Sequence, residues 1–233
     1  MKKEKKIYFV TVLIMALFVA LIFVTGCGKS GKSGKSGKDA KMLTNEKSGE
    51  IKNVSQVLKV DTSTSTVNWI GKKVTGQHNG TIKIAKGEIG LDKNGAVVSG
   101  SFEMDMRTIV NLDLDDAEMN SKLITHLKSE DFFSVEKFPV SKFEIIKIEP
   151  LNDASKPNFN STVSGNMTIK GISKSISFPA LIKIENGILS SFADFDIDRT
   201  EWEIRYGSGK FFENLGDKVI NDKFNISFKI TAK

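Results

Sequence analysis

Leu181-Ile182-Lys183-Ile184-Glu185 runs into Asn186-Gly187 and then, from Ser191, into Ser191-Phe192-Ala193-Asp194-Phe195-Asp196-Ile197-Asp198. Apolar and polar residues alternate on both sides of an Asn-Gly pair, which is the strongest short-range signal for two antiparallel strands joined by a tight turn. The same alternation recurs in Thr66–Trp69, Gly80–Ile84, Ser99–Arg107, Lys142–Ile145, Val163–Lys170, Ser175–Phe178 and Phe224–Ile230. Each run puts an apolar face on one side, as a half-buried strand does. Asn79-Gly80, Lys93-Asn94-Gly95, Asn152-Asp153 and Lys170-Gly171 read as the turns between them. Eight or more such strands in the 178 residues from 56 to 233, with almost no helix between them, predict an antiparallel sandwich or closed barrel.

One stretch departs from period two. Met119, Leu123 and Leu127 recur every four positions with Ile124 beside them, so residues 115–128 are predicted to form a short amphipathic helix crossing between strands. Asp113, Asp115 and Asp116 stand at its start, where short acidic side chains cap free N–H groups and suit the positive end of the helix dipole. Their spacing matches no EF-hand loop.

The N-terminus has a different character. Lys2, Lys3, Lys5 and Lys6 precede an apolar run from Ile7 to Val24, and Val24-Thr25-Gly26-Cys27 follows, so residues 1–26 read as an export signal. Val24-Thr25-Gly26-Cys27 resembles the lipobox of bacterial lipoproteins, which implies cleavage before Cys27, acylation of that residue and attachment to the membrane of the cell envelope, facing the periplasm. The competing reading is an uncleaved membrane helix, since 18 residues just reach a spanning length. Residues 27–55, opening with Gly/Ser/Lys repeats, read as a flexible, disordered tether with too little apolar surface to fold. Cys27 is the single cysteine, so no intramolecular disulfide supports the domain at 56–233.

Charge excludes one class of function. Residues 1–50 carry 10 Lys and 4 acidic residues, whereas residues 51–233 carry 24 basic and 24 acidic ones. The folded part is therefore neutral overall, and a nucleic-acid surface would need its cation excess there. Gly26 to Ser33 satisfies the P-loop pattern literally. It lacks the preceding strand and following helix that a phosphate cradle requires.

His126-Leu127-Lys128-Ser129-Glu130-Asp131-Phe132-Phe133, then Phe138-Pro139, Gly165-Asn166-Met167-Thr168-Ile169-Lys170-Gly171, Phe178-Pro179 and Phe195-Asp196-Ile197-Asp198-Arg199-Thr200 together resemble the YceI-like family of bacterial exported proteins, over roughly residues 58–233. The resemblance implies an all-β fold, an eight-stranded antiparallel lipocalin-like barrel. Its elongated apolar interior would hold a polyisoprenoid or quinone-type lipid, with no cofactor and no catalysis. An eight-stranded barrel is either filled by side chains or just roomy enough for one ligand. The expected inward face comprises Trp69, Ile82, Ile84, Phe102, Met104, Phe143, Ile145, Phe192 and Phe195, with Trp202, Phe211 and Phe212 near the last strands. These either pack a solid core or line a cavity suited to a flexible apolar chain.

Polar candidates would orient the ligand. Arg199 either offers its fork of donors to a phosphate or quinone carbonyl, or pairs with Asp198, Glu201 or Asp105 to close the wall. His126, late in the helix, either caps and packs or meets a headgroup, and His78 is expected to be exposed in a turn. Tyr206 could donate to a ligand, although Gly207 and Gly209 beside it more simply mark a bend. No nucleophile elbow is present, and two distant histidines without thiolate partners do not make a zinc site. Ser129, His126 and Asp131 are close in the chain, which is not triad geometry. The alternative to lipid binding is an envelope scaffold or stress-related interaction module with a filled core.

Overall fold

A computed structural model describes residues 39–44 and 53–233. The strands are β1 (Lys41–Met42), β2 (Gln56–Lys59), β3 (Thr66–Lys73), β4 (Gly76–Leu91), β5 (Val97–Asn111), β6 (Val140–Pro150), β7 (Ser161–Ile169), β8 (Ile172–Glu185), β9 (Ile188–Asp198) and β10 (Lys223–Ala232), with one helix, α1 (Ala117–Lys128), between β5 and β6. Strands β3 to β10 pair in sequence order, all antiparallel, and β10 returns to β3 to close the barrel. The expected eight-stranded, all-β architecture is what the chain forms.

Turn chemistry sets the hairpins. Lys170-Gly171 and Asn186-Gly187 both have two successive positive φ angles, 53° and 74° and then 51° and 76°. That is the backbone a two-residue primed turn needs, and its hand matches the twist of the flanking strands. Asn79-Gly80 does not turn. It lies inside β4, and the hairpin falls instead at residues 74–75, between β3 and β4. Gly80 is needed for close approach: a Cβ there would stand 1.8 Å from the Val110 carbonyl oxygen and 2.6 Å from Cζ2 of Trp69. Register shifts in β4–β5 and β6–β7 mark bulges, which bend long strands around a barrel.

The runs Ser175–Phe178 and Leu181–Glu185 belong to one strand, β8, which passes straight through Pro179. Its partner changes at that point. From Ala180 onward β8 pairs with β9, whereas before it β8 pairs with β1, Lys41 opposite Ser177 and Met42 opposite Ile176. Proline cannot donate to a ladder, and it stands where the β9 side has no ladder to donate to. Asp39 bridges Asp196 on the other flank, with the Ala40 amide donating to the Asp196 carbonyl at 2.8 Å. Residues 39–43, expected as tether, thus carry the short strand β1 and an isolated bridge at Asp39, and fill the opening between β8 and β9. Ala40 and Met42 pack on the core from there. Cys27, the apolar run and the rest of the expected tether up to residue 52 lie outside the described residues, except for 39–44.

Helix α1 starts two residues later than expected. Asp116 is its N-cap, accepting from the Met119 amide at 2.8 Å. Asp113 ties the crossover to β4 instead of capping the helix. Its carboxylate accepts from the Asn79 amide, Asn111 Nδ2 and His78 Nδ1 at 2.6 to 2.8 Å. His78 is accordingly a half-buried strand residue rather than an exposed turn one. Among the described residues no helix is long and apolar enough to cross a membrane, and no group of three side chains could hold a metal.

Candidate functional site

The alternation that makes the strands also makes a cavity. Inward residues of all eight long strands surround a space of about 180 Å³, measured as the volume open to the centres of water molecules. One water needs roughly 10–15 Å³ on that measure, so the space is on the order of a dozen waters in size. It runs the length of the barrel, from Val97, Ile148 and Leu189 at one end to Leu127, Phe132 and Phe133 at the other. The second end is covered by the α1 crossover and by the segment between β9 and β10, which contributes Ile204 and Ile220.

Most of the expected lining is there. Trp69, Ile82, Ile84, Phe102, Met104, Phe143, Ile145 and Phe195 all border the cavity. Phe178 and Phe195 stack at 4.0 Å between ring centres, with Phe228 edge-on to both, forming one aromatic wall. Four expectations are corrected. Phe192 is 41 % exposed and stacks on Phe159 outside the barrel; it is three residues from Phe195, and odd spacing in a strand puts two side chains on opposite faces. Phe211 and Phe212 are exposed in the β9–β10 connection, where the Arg205 guanidinium sits 4.6 Å above the Phe211 ring. Trp202 is fully buried in a 3-10 turn, Arg199–Trp202, and its indole N–H donates to the Met167 carbonyl at 3.1 Å. It belongs to the packed core and does not border the cavity.

Arg199 does border the cavity, and it is the only charged side chain that does among the described residues. Three of its five N–H donors are taken by backbone carbonyls. Nε gives to the Asn221 carbonyl at 3.1 Å, Nη1 to Ile204 at 2.8 Å and Nη2 to Ile220 at 3.0 Å, while the Asp222 carboxylate lies 3.6 Å away. Burial pulls its pKa down and the Asp222 charge pushes back. The close ion-pair partner is Asp222, which was not expected, and of the three expected carboxylates Asp198 adds its charge. Asp198 itself caps the 3-10 turn and bonds Lys210 Nζ at 2.5 Å. Sequence reasoning missed both Asp222 and the carbonyl cage, because backbone acceptors leave no mark in a side-chain pattern.

His126 and Tyr206 meet outside the cavity. Their rings contact edge-on at 4.6 Å, Phe132 packs against both, and His126 Nε2 lies 3.2 Å from Asp131. Ser129 Oγ donates to the His126 backbone carbonyl at 2.8 Å and not to the ring, so the three residues form no triad. The lining residues sequence reasoning missed include Leu127, Phe132 and Phe133. The helix period marked Leu127 as apolar, but only the crossover geometry aims it into the barrel.

Comparison with known proteins agrees with this architecture. The profile of the YceI-like domain matches residues 58–232. Among solved structures, BcnA of Burkholderia cenocepacia is similar, with 20 % identity, a TM-score of 0.58 and coverage of 75 % of this chain and 99 % of that one. A polyisoprenoid binding domain from Saccharophagus degradans, implicated in plant cell wall breakdown, is similar with 12 % identity, a TM-score of 0.52 and coverage of 78 % and 99 %. At these identities the likeness is one of fold. Among curated proteins no sequence matches the chain.

Proposed function

The chain belongs to the YceI-like family, and on that premise we propose that its barrel binds one long-chain amphiphile, a polyisoprenoid or quinone-type lipid, without transforming it. The observation that carries the reading is a full-length cavity with an apolar lining, in which Arg199, the one charged lining side chain among the described residues, is held by three backbone carbonyls. Water gains little in such a space, because it needs two to four polar partners. A prenyl tail needs none. Burying about 400 Å² of tail surface is worth roughly 10 kcal/mol at ~25 cal/mol per Å². Several kcal/mol go to association and chain ordering, which still leaves micromolar or tighter binding. The similar fold of a polyisoprenoid binding domain supports the same choice of ligand.

Attachment to the envelope membrane through an acylated Cys27 is part of the proposal. Eleven residues lie between Cys27 and Asp39, so the chain between them can span at most about 40 Å, whatever its conformation. A barrel held that close to a bilayer meets its ligand there. Extraction of the purified protein with organic solvent, followed by mass spectrometry, tests the binding reading. Stoichiometric recovery of a prenyl lipid is expected; protein from its native membrane that yields none overturns it. Intact-mass analysis of the same preparation tests the anchor, because an uncleaved, unmodified N-terminus contradicts it.

A further inference from the structure

Both ends of the cavity are packed. The α1 crossover and the β9–β10 segment cover one, and Leu58, Leu91, Leu189 and Ile230 form a buried cluster at the other. The side wall differs at one place. β8 and β9 are laddered from Glu185 opposite Ile188 up to Ala180 opposite Ala193, and there they part. Two residues beyond that last rung, Phe178 and Phe195 stack across the parting at 4.0 Å, and both border the cavity. The next layer outward is β1, whose Ala40 and Met42 pack on the core cluster to which the two rings belong.

That layer is held by little. β1 has two residues and a ladder on its β8 side alone; toward β9 it has the Asp39–Asp196 bridge and the bond from the Ala40 amide. The Asp39 carboxylate meets Lys223 Nζ at 2.5 Å near the surface, where ion pairs contribute little. Its other oxygen, Oδ1, is shielded from solvent with no donor, a cost that hydration relieves once the segment lifts. Short segments with few buried contacts open at free energies far below that of global unfolding. The continuous β8–β9 ladder below Ala180 has no such weakness.

We propose that the parting between β8 and β9 is a lateral portal to the cavity, with β1 as its displaceable cover and the Phe178–Phe195 pair as its inner leaf. When β1 lifts and the rings turn aside, an apolar chain passes between the strands without meeting a charged side chain on the way. The inference rests on the lipid-binding reading above and adds to it the ligand's route. It also sets the cover on the described stretch nearest in sequence to Cys27, so the chain that leads to the proposed anchor is the chain that closes the portal.

A reversible lock tests the route. Lys41 and Ser177 stand opposite each other in the β1–β8 ladder. Lys41→Cys/Ser177→Cys, in a Cys27→Ser background that has no other thiol, is joined by a short, reducible bis-methanethiosulfonate cross-linker. Lys183→Cys/Ser190→Cys carries the same link in the β8–β9 ladder, where the wall is already shut. Uptake and release of all-trans-retinol, a fluorescent isoprenoid, are followed by stopped flow on the delipidated chains. Linking β1 to β8 is expected to slow both by roughly tenfold or more and to leave Kd nearly unchanged, because a cover that is closed before and after binding alters the path and not the end states. Reduction should restore the rates, and the link between residues 183 and 190 should not alter them. Equal rates with β1 linked and reduced, or equal slowing by both links, overturns the portal and leaves lipid binding standing. Failure of retinol to bind the reduced proteins overturns the lipid reading, and the portal with it.

Discussion

Gly80→Ala isolates how tightly the wall is built. The added methyl would meet the Val110 carbonyl oxygen at 1.8 Å and the Trp69 ring at 2.6 Å, against the 3.4 Å and more of ordinary contact. Relief requires β4 and β5 to separate by about 1.5 Å at this point. That breaks the local ladder around Gly80 opposite Asn111, on the order of two hydrogen bonds at ~1 kcal/mol each. Displacing the indole adds the cost of overpacking, roughly 1–3 kcal/mol. The expected loss is about 3–5 kcal/mol, or roughly 6–20 °C in Tm for a domain of this size. Urea unfolding of wild type, Gly80→Ala and Gly71→Ala is the assay. Gly71 also borders the cavity, but a Cβ there has no atom within 4 Å, so its variant should stay close to wild type. A Gly80→Ala midpoint equal to that of Gly71→Ala would refute the reasoning.

Three further outcomes follow from the same geometry. Arg199→Leu leaves three carbonyls and the Asp222 carboxylate without their partner and should cost about 3–5 kcal/mol; a variant that melts like wild type but loses lipid would instead assign the guanidinium to a headgroup. Phe102→Asp places a charge in the cavity and should abolish lipid co-purification, whereas Phe192→Asp lies on the outer wall and should keep it; equal loss from both would contradict the assigned faces. For Asp198, burial pushes the carboxyl up, but Lys210, the Thr200 hydroxyl and the Thr200 amide outweigh it and hold the pKa below the ordinary value. A depressed folded pKa stabilises above the unfolded value of about 3.9, and the gain is lost as pH falls through the folded one. The stability gap between wild type and Asp198→Asn should therefore narrow below about pH 4, and a gap constant from about pH 6 to pH 2.5 would sink the argument.

The hairpins at Lys170-Gly171 and Asn186-Gly187 were legible because a turn of that type demands positive φ at two adjacent residues, and few residue pairs supply it. Asn79-Gly80 shows where the signal fails. The same dipeptide serves a strand when a neighbouring indole needs the room, and the neighbour lies 11 positions away in sequence. Strand faces were readable from parity, which places Phe143 and Ile145 together on the inner wall. Applied to the last hairpin, parity also separates Phe192 from Phe195, although both are aromatic. What stayed hidden was tertiary: Asp222 beside Arg199, the crossover residues that close one end, and β1, whose two residues carry almost no periodic signal and gain their strand only from the opening between β8 and β9.

That opening and the cavity bear on one question, whether the barrel interior is unfilled by design. In engineered cores, unfilled volume costs about 24 cal/mol per Å³, so 180 Å³ amounts to roughly 4 kcal/mol. Domains have about 5–15 kcal/mol in total, so the cost is a large share of the whole. Larger side chains at the lining would remove it without touching the strand pattern. The wall elsewhere is closed with care: β1 is inserted where β8 and β9 part, Ala40 and Met42 pack inward from it, and Ala180 and Ala193 are fully buried where the two strands rejoin. A chain that seals its wall and keeps such a space between its lining side chains gives up stability that tighter packing would supply. A bound lipid restores it in proportion to its affinity.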